Sequence, residues 1–299
     1  MELVDEWMSS NPWHPRMLPF LIYITFIPAV VYLQEWQPAS YPVVYVVQCA
    51  VVGYLLWRYR RLLPELNVKF HWMSVPIGAI VCVAWIMIGW AMAGEFQARW
   101  DAMVAGEPLA GIEYSSVNET PRFATTEPPA LQTLLKSSLA IGWTAMFLRL
   151  LGMSILVPLF EELFIRSLLL RGLSNMRRTW TGMLQILQDM PAIGDMLIHT
   201  KAGISASEQP PMFSKMFTDT RLGHISLWGF IASTFVFTIH HSVRDYPACF
   251  LCAALYCGLL WITNYRDRQL GIGPVVWAHG ITNALLWVYT VYTGDWQFL

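Results

Sequence analysis

The chain has 299 residues, 56% hydrophobic and 13% charged, and its mean hydropathy of +0.44 places it outside the range of ordinary soluble domains. A formal net charge of -1 provides no basic surface for nucleic acid, so no nucleic-acid partner is expected. The five cysteines, Cys49, Cys82, Cys249, Cys252 and Cys257, lie in or beside apolar runs, which argues against a disulfide framework.

In chain order, the N-terminus carries Glu2, Asp5 and Glu6 where a secretory signal carries positive charge, and it reads as a mature end. The first apolar run, Leu18–Leu33, contains Pro19 and Pro28, which a membrane helix tolerates when neighbours satisfy the freed carbonyls. The second, Tyr41–Trp57, is followed by Arg58, Arg60, Arg61 and Lys69, the signature of a cytoplasmic loop. The third, Val75–Ala93, is uncharged and crosses outward. From Gly94 to Pro129 the sequence is acidic and rich in Pro, Gly and Thr, which predicts an extracytoplasmic loop with little regular structure. The sequon at Asn118 is a three-residue match of low information.

Residues Leu131–Leu151, interrupted by Lys136 and Arg149, read as an interfacial helix or as the first half of one long helix. Gly152–Leu173 then runs inward toward Arg171, Arg177 and Arg178. Ser174–Arg221 is a second polar break, in which Gly182–Ile198 has the pattern of a short amphipathic surface helix. Three further spans are predicted at Ile225–His241, Pro247–Thr263 and Gly273–Val291, with Arg266 and Arg268 on the cytoplasmic side. The expected architecture is an all-α polytopic transmembrane bundle of seven or eight spans. Residues 1–130 form an N-terminal membrane region and residues 131–299 a core that carries the polar motifs.

The polar residues inside these spans carry the chemistry. Pro158–Arg171, PLFEELFIRSLLLR, places Glu161, Glu162 and Arg166 in otherwise continuous apolar sequence. Each charged residue at the centre of a membrane helix costs about 2.5–3.5 kcal/mol on insertion scales, so these groups must face protein or a wet cavity, where function is the default reading. Glu162 and Arg166, Phe237 and His241, and His279 and Asn283 are each four apart, and residues at that spacing share a helix face. A carboxylate paired with an imidazole activates water, a role that falls to Glu161 with His241, the adjacent His240 being the one-residue alternative. An imidazole and an amide on one face supply donors for an oxyanion, a role that fits His279 and Asn283. Glu162 with Arg166 reads as an orienting ion pair, and Phe237 as the aromatic support one turn before His241.

These residues resemble the motifs EExxxR, FxxxH and HxxxN of the CAAX-protease and bacteriocin-processing (CPBP, abortive-infection) family of intramembrane proteases. They stand here, in the same order, at Glu161–Arg166, Phe237–His241 and His279–Asn283. The texture VPLFEELFIRSLLLR and WAHGITNALL is similar to the exosortase-associated bacterial branch. The resemblance covers about Leu131–Val291. It implies a glutamate-type endopeptidase of a bacterial inner membrane that cuts a membrane-anchored protein or peptide, with Glu161 as base and no cofactor. The alternative mechanism is a catalytic zinc held by Glu161, His241 and His279; the sequence lacks an HExxH helix. The competing functional class is a non-catalytic membrane protein, a scaffold, an immunity factor or a small-solute carrier with a charged cavity.

Overall fold

The computed structural model describes residues 2–107, 134–174, 176–190, 192–264 and 269–298. Among these residues every regular element is helical. The chain begins with α1 (Glu2–Ser10) and α2 (His14–Trp36), then α3 (Tyr41–Tyr59), which ends in a 3-10 turn at Arg60–Leu62. After α4 (Ser74–Met92) and α5 (Phe96–Ala105) comes one continuous 34-residue helix, α6 (Leu139–Gly172). Four short helices follow: α7 (Met176–Gln188), α8 (Ile193–Leu197), α9 (Lys201–Ser207) and α10 (Met212–Asp219). The chain closes with α11 (Leu227–Ile239), α12 (Tyr246–Asn264) and α13 (Gly273–Thr293). Proline in the first turn of α2, α3 and α13 matches the position where a missing N–H costs nothing. Glycines 106 and 294, at φ +72° and +73°, end α5 and α13 in the left-handed conformation that only glycine adopts without strain.

Four helical stretches are long and apolar enough to cross a bilayer: Tyr41–Leu62, Ser74–Met92, Leu139–Gly172 and Val243–Asn264. The chain is accordingly a helical membrane protein. Lipid-facing positions are evident on α3, where Val43, Val46, Val47 and Tyr54 are exposed while Tyr45, Val52 and Leu56 are buried. α11 is different, because its 13 residues extend only about 20 Å at 1.5 Å per residue, short of the roughly 30 Å hydrocarbon core.

Two expectations require correction. The acidic stretch after Gly94 is not irregular where it is described, since it forms α5, whose Arg99 is fully buried. Residues 108–129, including Asn118, lie outside the described residues, as do Arg266 and Arg268. The amphipathic surface helix begins at Met176 rather than Gly182 and stops at Gln188; it is separated from α8 by a turn in which Ala192 has φ +66°. Leu139–Leu151 is the first part of α6, the second of the two readings open for this stretch.

The core of the bundle is built by close approach. α4 and α13 run parallel, tied by Ser74 Oγ donating to the Pro274 carbonyl at 2.7 Å and Thr282 Oγ1 donating to the Gly78 carbonyl at 3.0 Å. Gly78 is required there, because a Cβ would sit 2.6 Å from the Ala278 carbonyl oxygen. α6 and α13 run antiparallel, with Trp287 Nε1 on the Met146 carbonyl at 3.0 Å. Small residues at such contacts let membrane helices approach within hydrogen-bonding range.

Each end of the bundle holds a buried charged network. At one end the guanidinium of Arg16 binds Glu65 through two bonds of 2.6 and 2.8 Å, and Ser167 Oγ of α6 donates to Glu65 at 2.5 Å. Burial pushes the Glu65 carboxyl up, but Arg16 and Ser167 outweigh it and hold the group below the usual carboxylate range. The four short helices cap this end. Arg171 of α6 donates to the carbonyls of Thr220 and Phe217 at 2.8 and 3.0 Å, and the Phe213 ring fills the space left by Gly172. At the opposite end Arg99 pairs with Glu95 at 2.7 Å and Asp295 at 3.0 Å, and Trp90 and Tyr289 donate to the same Asp295 oxygen.

Candidate functional site

α6 is not α-helical throughout. Gly152–Leu156 and Leu163–Leu169 are π-helical and flank the α-helical Val157–Glu162. π segments inside α-helices concentrate at functional sites, because the widened turn re-aims side chains and frees carbonyls. One freed carbonyl, that of Met153, is bonded by Asn283 Nδ2 at 2.6 Å. Asn283 therefore ties α13 to the irregular turn just before the glutamates. Its side chain has a second N–H and a carbonyl oxygen beyond this bond.

Three helices converge on the glutamate pair. Glu161 and Glu162 are buried, 6% and 0% exposed. His240, 79 positions on, places Nε2 at 3.0 Å from Glu161 Oε1. His279, 117 positions beyond Glu162, places Nδ1 at 2.9 Å from Glu162 Oε1 and Nε2 at 3.9 Å from Glu161 Oε2. One imidazole thus touches both carboxylates, oriented by Glu162 and aimed at Glu161. Arg166 completes the set, with Nε 3.5 Å from Glu162 Oε2 and its guanidinium carbon 4.8 Å from the Phe237 ring centre and 5.8 Å from that of Tyr256. Cation–π contacts of this kind offset the desolvation of a buried guanidinium.

His241 occupies the position beside this contact rather than on it. Its Nδ1 donates to the Phe237 carbonyl at 2.8 Å, and its ring lies 4.8 Å from Phe237 and 5.5 Å from Trp85. The sequence reading pairs Glu161 with His241; in the structure it is His240 that bonds Glu161. The reason is local. The four-residue spacing assumes a helix that continues through His241, but α11 ends at Ile239 and His240 sits at its C-cap with φ −95° and ψ 1°. Helical face rules end with the helix.

The protonation of this group follows from its partners. His240 Nδ1 lies 3.1 Å from the Val236 carbonyl, which only accepts, so Nδ1 carries the proton. A neutral His240 then has a lone pair at Nε2, facing a carboxylate oxygen at 3.0 Å. Two acceptors do not approach so closely unless a proton or a cation lies between them. Glu161, His240 and His241 place one ligand atom each within 4.8 Å of one another, and both Nδ1 atoms are held by backbone carbonyls. This is the outer-shell pattern that directs Nε2 toward a metal. Two imidazoles and a carboxylate fit a catalytic zinc set, with His240 in place of the His279 expected from sequence. When bound, such an ion lowers the pKa of a coordinated water.

The depth of the site follows from α11. Gly229 in its first turn packs against the Leu170 carbonyl, and Ser226 Oγ caps the start by accepting from Gly229 N at 2.9 Å. The helix stops about 20 Å later, at the height of Glu161, so the histidine turn lies inside the thickness of the bundle. Irregular backbone is tolerated there when it is buried in protein or lines a wet cavity. His240 and His241 are both half-buried, with 26% of the His240 side chain accessible, whereas Glu161 is buried.

The Arg16–Glu65–Ser167 network was not singled out by sequence. Its one signal was Arg16 at the edge of an apolar run, and nothing local pointed to Glu65. No protein-family model matches the chain, and no curated protein and no solved structure matches it.

Proposed function

We propose that the protein is an intramembrane endopeptidase of the CPBP type, hydrolysing a peptide bond in a membrane-anchored protein or peptide. The observation that carries this reading is the meeting of Glu161, Glu162, His240 and His279 from three helices at one buried point. Glu161, hydrogen-bonded to His240, takes a proton from the attacking water as the water oxygen bonds the carbonyl carbon, and the pair returns that proton to the amine nitrogen as the C–N bond breaks. His279, as an imidazolium, donates through Nδ1 to Glu162 and through Nε2 to the tetrahedral oxygen. Asn283 supports the turn that positions the glutamates and offers its remaining N–H to the same oxygen. Arg166 and Phe237 hold Glu162 and the histidine turn.

The reading includes seven crossings, α2, α3, α4, α6, α11, α12 and α13. With Arg58, Arg60 and Arg61 taken as cytoplasmic by the positive-inside rule, this reading puts the N-terminus and the four-helix cap on the cytoplasmic side of a bacterial inner membrane. Reconstituted protein is to be tested on a membrane-tethered peptide. Glu161→Gln is expected to abolish cleavage with unchanged helical content, and processing that continues undiminished would sink the protease reading. Elemental analysis of active protein separates the two mechanisms: full turnover without metal removes zinc.

A further inference from the structure

A second site lies away from the glutamates, at the end of α12. Here Arg221, Leu222, Gly223, His224 and Ile225 face Trp261 and Asn264 across a cleft of about 540 Å³, within the size range of small-molecule sites. Asn264 is the last described residue of the apolar stretch Val243–Asn264, and the charged Arg266, Asp267 and Arg268 follow it in the sequence, so the cleft sits at the boundary between hydrocarbon and water whichever leaflet it faces.

The walls differ in character. Leu222 and Ile225 are half-buried and apolar, whereas Arg221 and His224 are exposed. Trp261, one turn before the helix end and 46% exposed, is the amphipathic ring that favours headgroup depth. The floor is rigid, because the Asn264 side chain is committed to both backbone groups of Gly271, at 2.9 and 3.0 Å. Gly223, at φ +85°, lies so close that a Cβ would stand 2.8 Å from Asn264 Cβ. The lining therefore combines one fixed cation, an imidazole donor and an indole above an apolar wall.

We infer that this cleft binds the phosphate headgroup of an anionic phospholipid, with Arg221 and His224 on the phosphate and Trp261 against the glycerol region. An amphiphile satisfies both walls at once, and the depth of the cleft is where its phosphate resides. The inference requires only that the chain is a membrane protein and is independent of the proposed chemistry at Glu161.

The test is native mass spectrometry of the full-length protein in neutral detergent, titrated with phosphatidylglycerol, phosphatidylcholine or inorganic phosphate. Wild-type protein is expected to retain phosphatidylglycerol in preference to phosphatidylcholine. Arg221→Gln should weaken that binding about fivefold, the weight of one basic residue at an anionic surface. Adding His224→Leu should bring the loss to about tenfold or more. Arg60→Gln, an exposed arginine at the end of α3, should leave it unchanged. Unaltered affinity in the Arg221 and His224 variants overturns the site. An equal loss in Arg60→Gln overturns it too, by showing diffuse attraction only. Displacement of the lipid by millimolar inorganic phosphate overturns the lipid assignment.

Discussion

Removing Glu65 alone should destabilise the protein far more than removing Glu65 together with Arg16. Both side chains are nearly inaccessible, 8% and 4% exposed, and they form a two-pronged bond. In Glu65→Leu the Arg16 guanidinium stays buried without its carboxylate, at a cost of about 3–5 kcal/mol. Arg16→Met leaves the opposite charge stranded at a similar cost. The double variant buries neither charge and loses mainly the acceptor of Ser167 Oγ, about 1 kcal/mol. Thermal unfolding in detergent, followed by circular dichroism, should therefore show a coupling of about 5 kcal/mol or more between the two sites. If the single losses simply add in the double variant, the buried-pair reasoning is wrong. The pH dependence carries the matching sign. The folded value of Glu65 is depressed, so its contribution is fully present above the unfolded carboxylate value of about 4.3 and is lost as pH falls through the folded value. Glu65→Leu should flatten the acid limb of the stability profile.

Cleavage by His240→Ala should fall about 10²–10⁴-fold, the weight of a positioned acid–base group, and a rate within threefold of wild type would reject the Glu161–His240 pairing. His241→Ala should lose as much only if a metal bridges the three residues; a much smaller loss, together with full activity after chelation, identifies a shared proton instead. Asn283→Ala strands the Met153 carbonyl and should cost about 1–3 kcal/mol of thermal stability, whereas no measurable shift would show that the bond carries nothing. Gly78→Val drives a side chain into the Ala278 carbonyl and should destabilise by at least about 1–3 kcal/mol, measured by the same unfolding assay.

Much of the membrane architecture was legible because hydropathy reports on it directly. Tyr41–Trp57 and Val75–Ala93 agree with α3 and α4 to within about two residues. The continuity of α6 was legible only as one of two readings, since Arg149 looks like an interruption until its Nη1 is seen on Tyr41 Oη at 2.9 Å. Nor was the four-helix cap, which is held by long-range contacts such as Gln185 with the carbonyls of Ala206 and Pro210. At the site, spacing alone singled out Glu161, Glu162 and His279, which the structure joins in contact. It preferred His241 over His240, because the end of α11 depends on how the 240–245 turn packs rather than on helical period.

The two π segments set a phase. Between Glu162, which faces His279, and Ser167, which faces Glu65, the chain passes through the widened turn of Leu163–Leu169. Winding the same residues into regular α geometry, with none removed, would rotate everything beyond that turn by one residue's worth, roughly 100°. Ser167 and Arg171 would then point away from the cap while the glutamates kept their place. The irregular turn thus works as a spacer that keeps two separate bonding partners in step along a single rod, and helix length alone does not provide that timing.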